Sequence, residues 1–227
     1  MDLHRTCQPI LFAALLVWII AWGSTPEATS ADDDGKTAGR FQNLYPFHKP
    51  GLASFLKWRW ERIGKNIGPP ESDAFPLAAN DPDFLRRNRS ETTATWIGHA
   101  TLLLQLGGVN ILTDPIFSDR ASPVQWAGPR RVAPPGLAMI DLPPIDVVLI
   151  SHSHYDSLDL GTVQALATRP GGTETVFFVP LGLKQWFRSQ GIDNVVELDW
   201  WAQKNQQGLE IQSVPAQHWS KRTLLTQ

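Results

Sequence analysis

Between residues 52 and 65 apolar positions recur at helical spacing, with Leu52, Phe55, Leu56, Trp58 and Ile63 set among basic residues; the pattern predicts an amphipathic helix. Gly68-Pro69-Pro70 ends it, and the polar stretch to Ser90 predicts a loop with at most one helical turn. From residue 92 the pattern changes to β-rich runs over 92–97, 100–106 and 109–113. The last two flank Gly107-Gly108, a glycine pair free to take the positive φ of a tight hairpin turn. Asp114-Pro115 ends the hairpin, and residues 116–144, rich in Pro, Gly and Arg, predict a long loop of the kind that carries function in compact domains. The run Val147-Val148-Leu149-Ile150 predicts a buried strand. Beyond it the spacing predicts a helix over 158–167 with Asp159 near its start, a strand over 175–180, a short helix over 183–190, and strands over 194–198 and 209–215. Strands interleaved with helices imply an α/β fold with its chemistry on loops at strand ends.

The first residues follow another pattern. Arg5 precedes an apolar run over 10–22 and then small and polar residues through Ala28-Thr29-Ser30-Ala31, which reads as a signal cut near Ser30 or Ala31. The run is short for a membrane span, which needs about 20 apolar residues. Three regions result: 1–31 as signal peptide or membrane anchor, 32–90 as an N-terminal arm with the amphipathic helix, and 91–227 as the main domain. An exported chain, periplasmic or membrane-associated in a bacterium, is the implied location. Lys57, Trp58, Arg59 and Trp60 could meet a membrane surface, or the helix could pack on its own domain with its charges solvated.

Composition narrows the chemistry. A net charge of -2 with no basic face sets nucleic acid aside, and 42% hydrophobic residues suffice for a core. The single cysteine, Cys7, lies ahead of the apolar run, so neither disulfides nor thiolate metal sites can form within the chain. Any metal must be held by nitrogen and oxygen. Such donors crowd into Ser151-His152-Ser153-His154-Tyr155-Asp156-Ser157, directly after the buried strand. In extended backbone alternate side chains share a face, so His152, His154 and Asp156 could grip one cation there. The bland alternative is a pair of surface histidines at a loop mouth.

Several stretches resemble the metallo-β-lactamase-fold hydrolases, in the branch of N-acylphosphatidylethanolamine-hydrolysing phospholipase D and its bacterial relatives. They are Trp96-Ile97-Gly98-His99-Ala100-Thr101, Ile111-Leu112-Thr113-Asp114-Pro115, the His152 motif, Glu197-Leu198-Asp199-Trp200-Trp201 and Pro215-Ala216-Gln217-His218-Trp219. The resemblance implies an αββα sandwich with zinc at the sheet edges. His152, His154 and His218 would hold the first metal and Asp156, the catalytic carboxylate, the second. Zinc-bound hydroxide would then attack a phosphodiester or related ester bond of a lipid or small phosphodiester substrate. Asp114 would support the histidine loop from behind the ligands, unless it is only an Asp-Pro turn former. His99 is expected to be a satisfied structural histidine, Asp159 a helix cap, and Trp200, Trp201 and Trp219 core or pocket wall.

Two departures from the family pattern stand out. Ser157 occupies the position where the motif usually carries a further histidine, and a serine hydroxyl is a poor zinc donor, so one zinc is expected to bind firmly and a second weakly. After His218 there is no histidine, and after Asp199 no aspartate. The sequence therefore reads as the N-terminal portion of the sandwich, C-terminally truncated, with a metal-binding protein lacking catalytic activity as the alternative function.

Overall fold

The computed structural model describes residues 51–65, 78–218, 220 and 222; the signal-like segment and the arm before Gly51 lie outside the described residues. Helix α1 spans Leu52–Arg62, as the apolar spacing predicts, and none of its residues is buried. The short helix α2, Pro82–Arg87, forms where Asp81 accepts a hydrogen bond from Phe84 N and Pro82 presets the first turn.

Six strands build one mixed sheet: β1 Thr93–Gly98, β2 Thr101–Leu106, β3 Val109–Thr113, β4 Val147–Leu149, β5 Val176–Pro180 and β6 Val195–Leu198, ordered as numbered. β1, β2 and β3 pair antiparallel, and β3 through β6 pair parallel. The glycine pair makes the turn between β2 and β3, with φ of 58° at Gly107 and 80° at Gly108. Parallel neighbours need crossovers. Residues 114–146, helix α3 (Leu160–Thr168) and helix α4 (Lys184–Ser189) supply them.

Side-chain alternation divides the strands between two apolar layers. Leu112, Val148, Phe177 and Val179 face one core with Leu158, Val163 and Leu166 of the α3 region and Phe187 of α4. Ile111, Val147, Val176 and Phe178 face the other, against Leu209 and Ile211. Those two residues belong to β8, Leu209–Gln212, which pairs antiparallel with β7, Gln203–Gln206, in a separate two-stranded sheet. The layering is helices, six-stranded sheet, then hairpin, an α/β arrangement in the order expected for the first layers of the sandwich. β7 carries no apolar pattern that would predict it; among the described residues, no helix is long and apolar enough to cross a membrane.

Candidate metal centre

Strand direction assembles the site. Two successive antiparallel pairings make β1 run the same way as β3, and β4 is parallel to β3, so the carboxyl ends of all three open at one sheet edge. The chain leaving those ends carries His99, Asp114 and the segment from Ser151 to Asp156. Such edges are where α/β sheets place ligand chemistry.

The segment after β4 is not extended. Residues 153–157 run through bends and turns, and His154 O accepts from Ser157 N at 3.1 Å and Leu158 N at 2.8 Å. Alternation along a strand therefore does not bring His152 and His154 together; the turn does. Their ring centroids lie 4.6 Å apart at 82°, and the ring of His218 lies 4.6 Å from His152 and 5.1 Å from His154, close to perpendicular to both. His152 Nε2 is 2.9 Å from His154 Nδ1, which is 3.3 Å from His218 Nε2. Tetrahedral zinc with bonds of about 2.05 Å separates its nitrogens by about 3.3 Å. Two of the donor separations thus suit a nitrogen-preferring divalent cation, and all three donor atoms lie within 4.8 Å of one another.

Behind His152 a relay fixes the ring. Asp114 follows β3 with φ 34°, and its carboxylate accepts from Ser151 N and Ser151 Oγ, both at 2.7 Å. Ser151 Oγ lies 2.8 Å from His152 Nδ1. A carboxylate only accepts, so the one hydroxyl proton goes to Asp114 and Ser151 Oγ must accept from His152 Nδ1–H. That tautomer leaves the lone pair on Nε2, the atom facing the other two histidines. Burial pushes the Asp114 carboxyl above its usual range, and the two bonds from Ser151 pull it partly back. Burial also lowers the His152 and His154 pKa values, with the neighbouring imidazoles acting in the same direction; both effects favour neutral, metal-ready rings.

The His218 segment is tied to the motif loop by residues that carry no motif. Ser153 N donates to Ser220 Oγ at 3.0 Å, and Tyr155 OH donates to Arg222 O at 3.0 Å. The Arg222 guanidinium lies over the Tyr155 ring at 4.3 Å and the Trp186 ring at 4.7 Å while donating to Ser153 O and Leu158 O. Nothing in the sequence around Arg222 marks it for this role. Ser151 carries a readable signal, a hydroxyl next to the first histidine and two residues past the end of β4.

Several placements differ from expectation. Asp156 does not share one donor group with His152 and His154, contrary to what strand alternation predicts; it stands outside the three imidazoles, where the resemblance also leaves it, and its Oδ2 pairs with His99 Nε2 at 3.0 Å. His99 is a hydrogen-bonded histidine outside the imidazole group, as expected, with an exposed side chain at the rim of the centre. Ser157 is buried at 1% exposure. Asp159 sits at the start of α3 without capping it, because its carboxylate accepts instead from Ser118 N, Ser118 Oγ and Thr162 Oγ1. Trp201 is 63% exposed with φ 67°, on the surface rather than in a wall, because its position turns the chain into β7. Trp219 lies outside the described residues.

Residues 109–227 match the beta-lactamase superfamily domain. The chain belongs to that superfamily. Among relatives of this beta-lactamase superfamily chain, N-acyl-phosphatidylethanolamine-hydrolyzing phospholipase D 1 of Caenorhabditis elegans is 43% identical over 140 residues, 58% of this chain and 39% of its own. A Mycobacterium tuberculosis protein named only as uncharacterized is 41% identical over 167 residues, 73% of this chain and 44% of its own. A protein of Methanopyrus kandleri named as a metal-dependent hydrolase is 32% identical over 127 residues, 56% and 47% of the two chains. The chain spans less than half the length of each of these relatives.

Proposed function

We propose that the chain carries the three-histidine part of a zinc-dependent hydrolase centre acting on phosphodiester bonds of the N-acylphosphatidylethanolamine type, or on related ester bonds. The observation that carries the reading is the convergence of His152 Nε2, His154 Nδ1 and His218 Nε2 at spacings that suit one divalent cation. The name of the similar Caenorhabditis elegans phospholipase supports the substrate class. A zinc ion bound there supplies Lewis acidity and lowers the pKa of a coordinated water. The protein's own residues hold and aim the donors: Asp114 and Ser151 fix the His152 tautomer, the turn at His154 sets the second ring, and Arg222 keeps the His218 segment against the loop. Asp156 supplies negative charge beside the centre.

Helix α1 fits a lipid substrate, since Leu52, Trp60 and Ile63 are exposed beside Lys57, Arg59 and Arg62. Export, with the enzyme acting in the periplasm or on a membrane, belongs to the same reading and draws on the signal-like pattern of residues 1–31.

A second reading, cation binding without turnover, draws on the donor set itself. Among the described residues the grouped donors are three histidines, with no carboxylate inside the group. Metal content by elemental analysis, combined with turnover of N-acylphosphatidylethanolamine and a chromogenic phosphodiester, tests both. Near-stoichiometric zinc with turnover lost in His152→Ala supports the hydrolase. Zinc without turnover leaves the binding reading, and zinc content that His152→Ala does not lower overturns both.

A further inference from the structure

We propose that His99 is a positioning residue for the metal centre: it holds the Asp156 carboxylate beside the three imidazoles. This rests on the reading that those imidazoles bind a divalent cation, and it assigns a task to a residue outside them. The contact is direct, with His99 Nε2 3.0 Å from Asp156 Oδ2. For an ionised carboxylate the imidazole N–H is the donor.

The backbone around His99 is arranged to present that ring. β1 ends in a register shift between Trp96 and Gly98, and His99 itself takes φ 51°, a left-handed conformation uncommon outside glycine. Its carbonyl accepts from Trp96 Nε1 at 2.9 Å. The following residues are fastened to the end of β3: Thr113 Oγ1 donates to Ala100 O at 2.7 Å, and Thr101 Oγ1 donates to Asp114 O at 2.9 Å. The turn that carries His99 is thus tied to the same strand end as the aspartate that steers His152. Two supports reach the centre from one edge, Asp114 through Ser151 to His152, and His99 to Asp156.

Asp156 needs such a partner. Its side chain is 41% exposed and lies outside the imidazole group, so without His99 its rotamers are open to solvent. The carboxylate faces His152, His154 and Asp114 electrostatically, and a charge held at short range stabilises a bound cation more than one averaged over solvent positions. Ser157, the next residue, is buried and leaves the exposed side of the turn to Asp156 and His99.

The experiment measures zinc affinity by chelator competition and metal-free thermal unfolding for His99→Ala, His99→Gln, Asp156→Ala and the double variant His99→Ala/Asp156→Ala. A hydrogen-bond partner behind a metal centre typically changes affinity by about 10- to 100-fold, and His99→Ala is expected to lose about 10-fold. His99→Gln, whose amide N–H can reach the same carboxylate, is expected to recover most of that loss. His99→Ala is expected to add nothing in the Asp156→Ala background, because the effect passes through Asp156. Unchanged affinity in His99→Ala overturns the proposal, as does a loss that persists in the Asp156→Ala background. A His99→Gln variant as weak as His99→Ala also overturns it. Absence of zinc binding in the unsubstituted chain would instead remove the metal centre on which the proposal stands, so the two failures are distinct.

Discussion

Ser151 decides which nitrogen of His152 faces the centre, because its single proton is committed to Asp114 and its oxygen then accepts from Nδ1. Ser151→Ala removes the relay while leaving all three imidazoles in place. We expect zinc affinity to fall by about 10-fold and the metal-free unfolding midpoint to fall modestly, because the buried Asp114 loses one of its two donors, read by chelator competition and thermal melting. An unchanged affinity would show that the ring needs no such partner. The imidazoles themselves were legible in the sequence, since two histidines and an aspartate within five residues after a β-branched run are a strong chemical signal. The reason given for their convergence was not, because β4 ends at Leu149 and a turn replaces the extended chain. His99 and Arg222 were illegible for a related cause. Their partners lie 57 to 69 residues away in sequence, and only the strand order and the path after β8 bring them to the motif.

At the scale of elements, the glycines separate conformational need from steric need. Gly171 and Gly172 are adjacent between α3 and β5. Gly171 has φ 79° with open space around an added Cβ, whereas an added Cβ on Gly172 would clash with Leu166 O and lie 2.7 Å from Ala167 O. Gly171→Ala should cost about 1 kcal/mol, the price of a left-handed alanine. Gly172→Ala should cost about 3 kcal/mol, because backbone must move. Urea unfolding of the two variants checks the ranking, and equal midpoints would contradict it. Phe187 gives an independent measure of the helix layer. It is fully buried on α4, 5.4 Å from the Phe177 ring and 5.1 Å from the Trp186 ring, so Phe187→Ala should lose about 3–5 kcal/mol in the same assay. These helices and the glycine hairpin could be read from periodicity and turn chemistry. β7 could not, since Gln203-Lys204-Asn205-Gln206 shows no alternation; it pairs with β8, whose Leu209 and Ile211 pack half-buried against the sheet.

For the whole molecule, the same burial that prepares the histidines for a cation sets how stability responds to acid. His152 and His154 have folded pKa values below their ordinary 6.5, so between those values and 6.5 the unfolded chain binds more protons. Stability from this source is fully present above 6.5 and is lost as pH falls through the lowered values. Asp114 acts in the opposite sense. Its folded pKa is raised above 3.8, so its contribution is present below 3.8 and is lost as pH rises through the raised value. Zinc adds to the histidine effect, because it binds only the unprotonated rings and competes with protons for them. At a free zinc concentration of about 100 times Kd, binding should add about 2.7 kcal/mol, or about 5–10 °C in midpoint for a chain of this size. We therefore expect a zinc-induced midpoint shift of that order near pH 7.5 that shrinks toward zero as the buffer is taken well below pH 6. His218→Ala should abolish most of the shift at either pH while leaving the metal-free curve close to that of the parent chain, because His218 reaches the centre from a segment beyond the two apolar cores. A shift that persists in His218→Ala, or that grows on acidification, would mean that zinc is held by groups other than the three imidazoles.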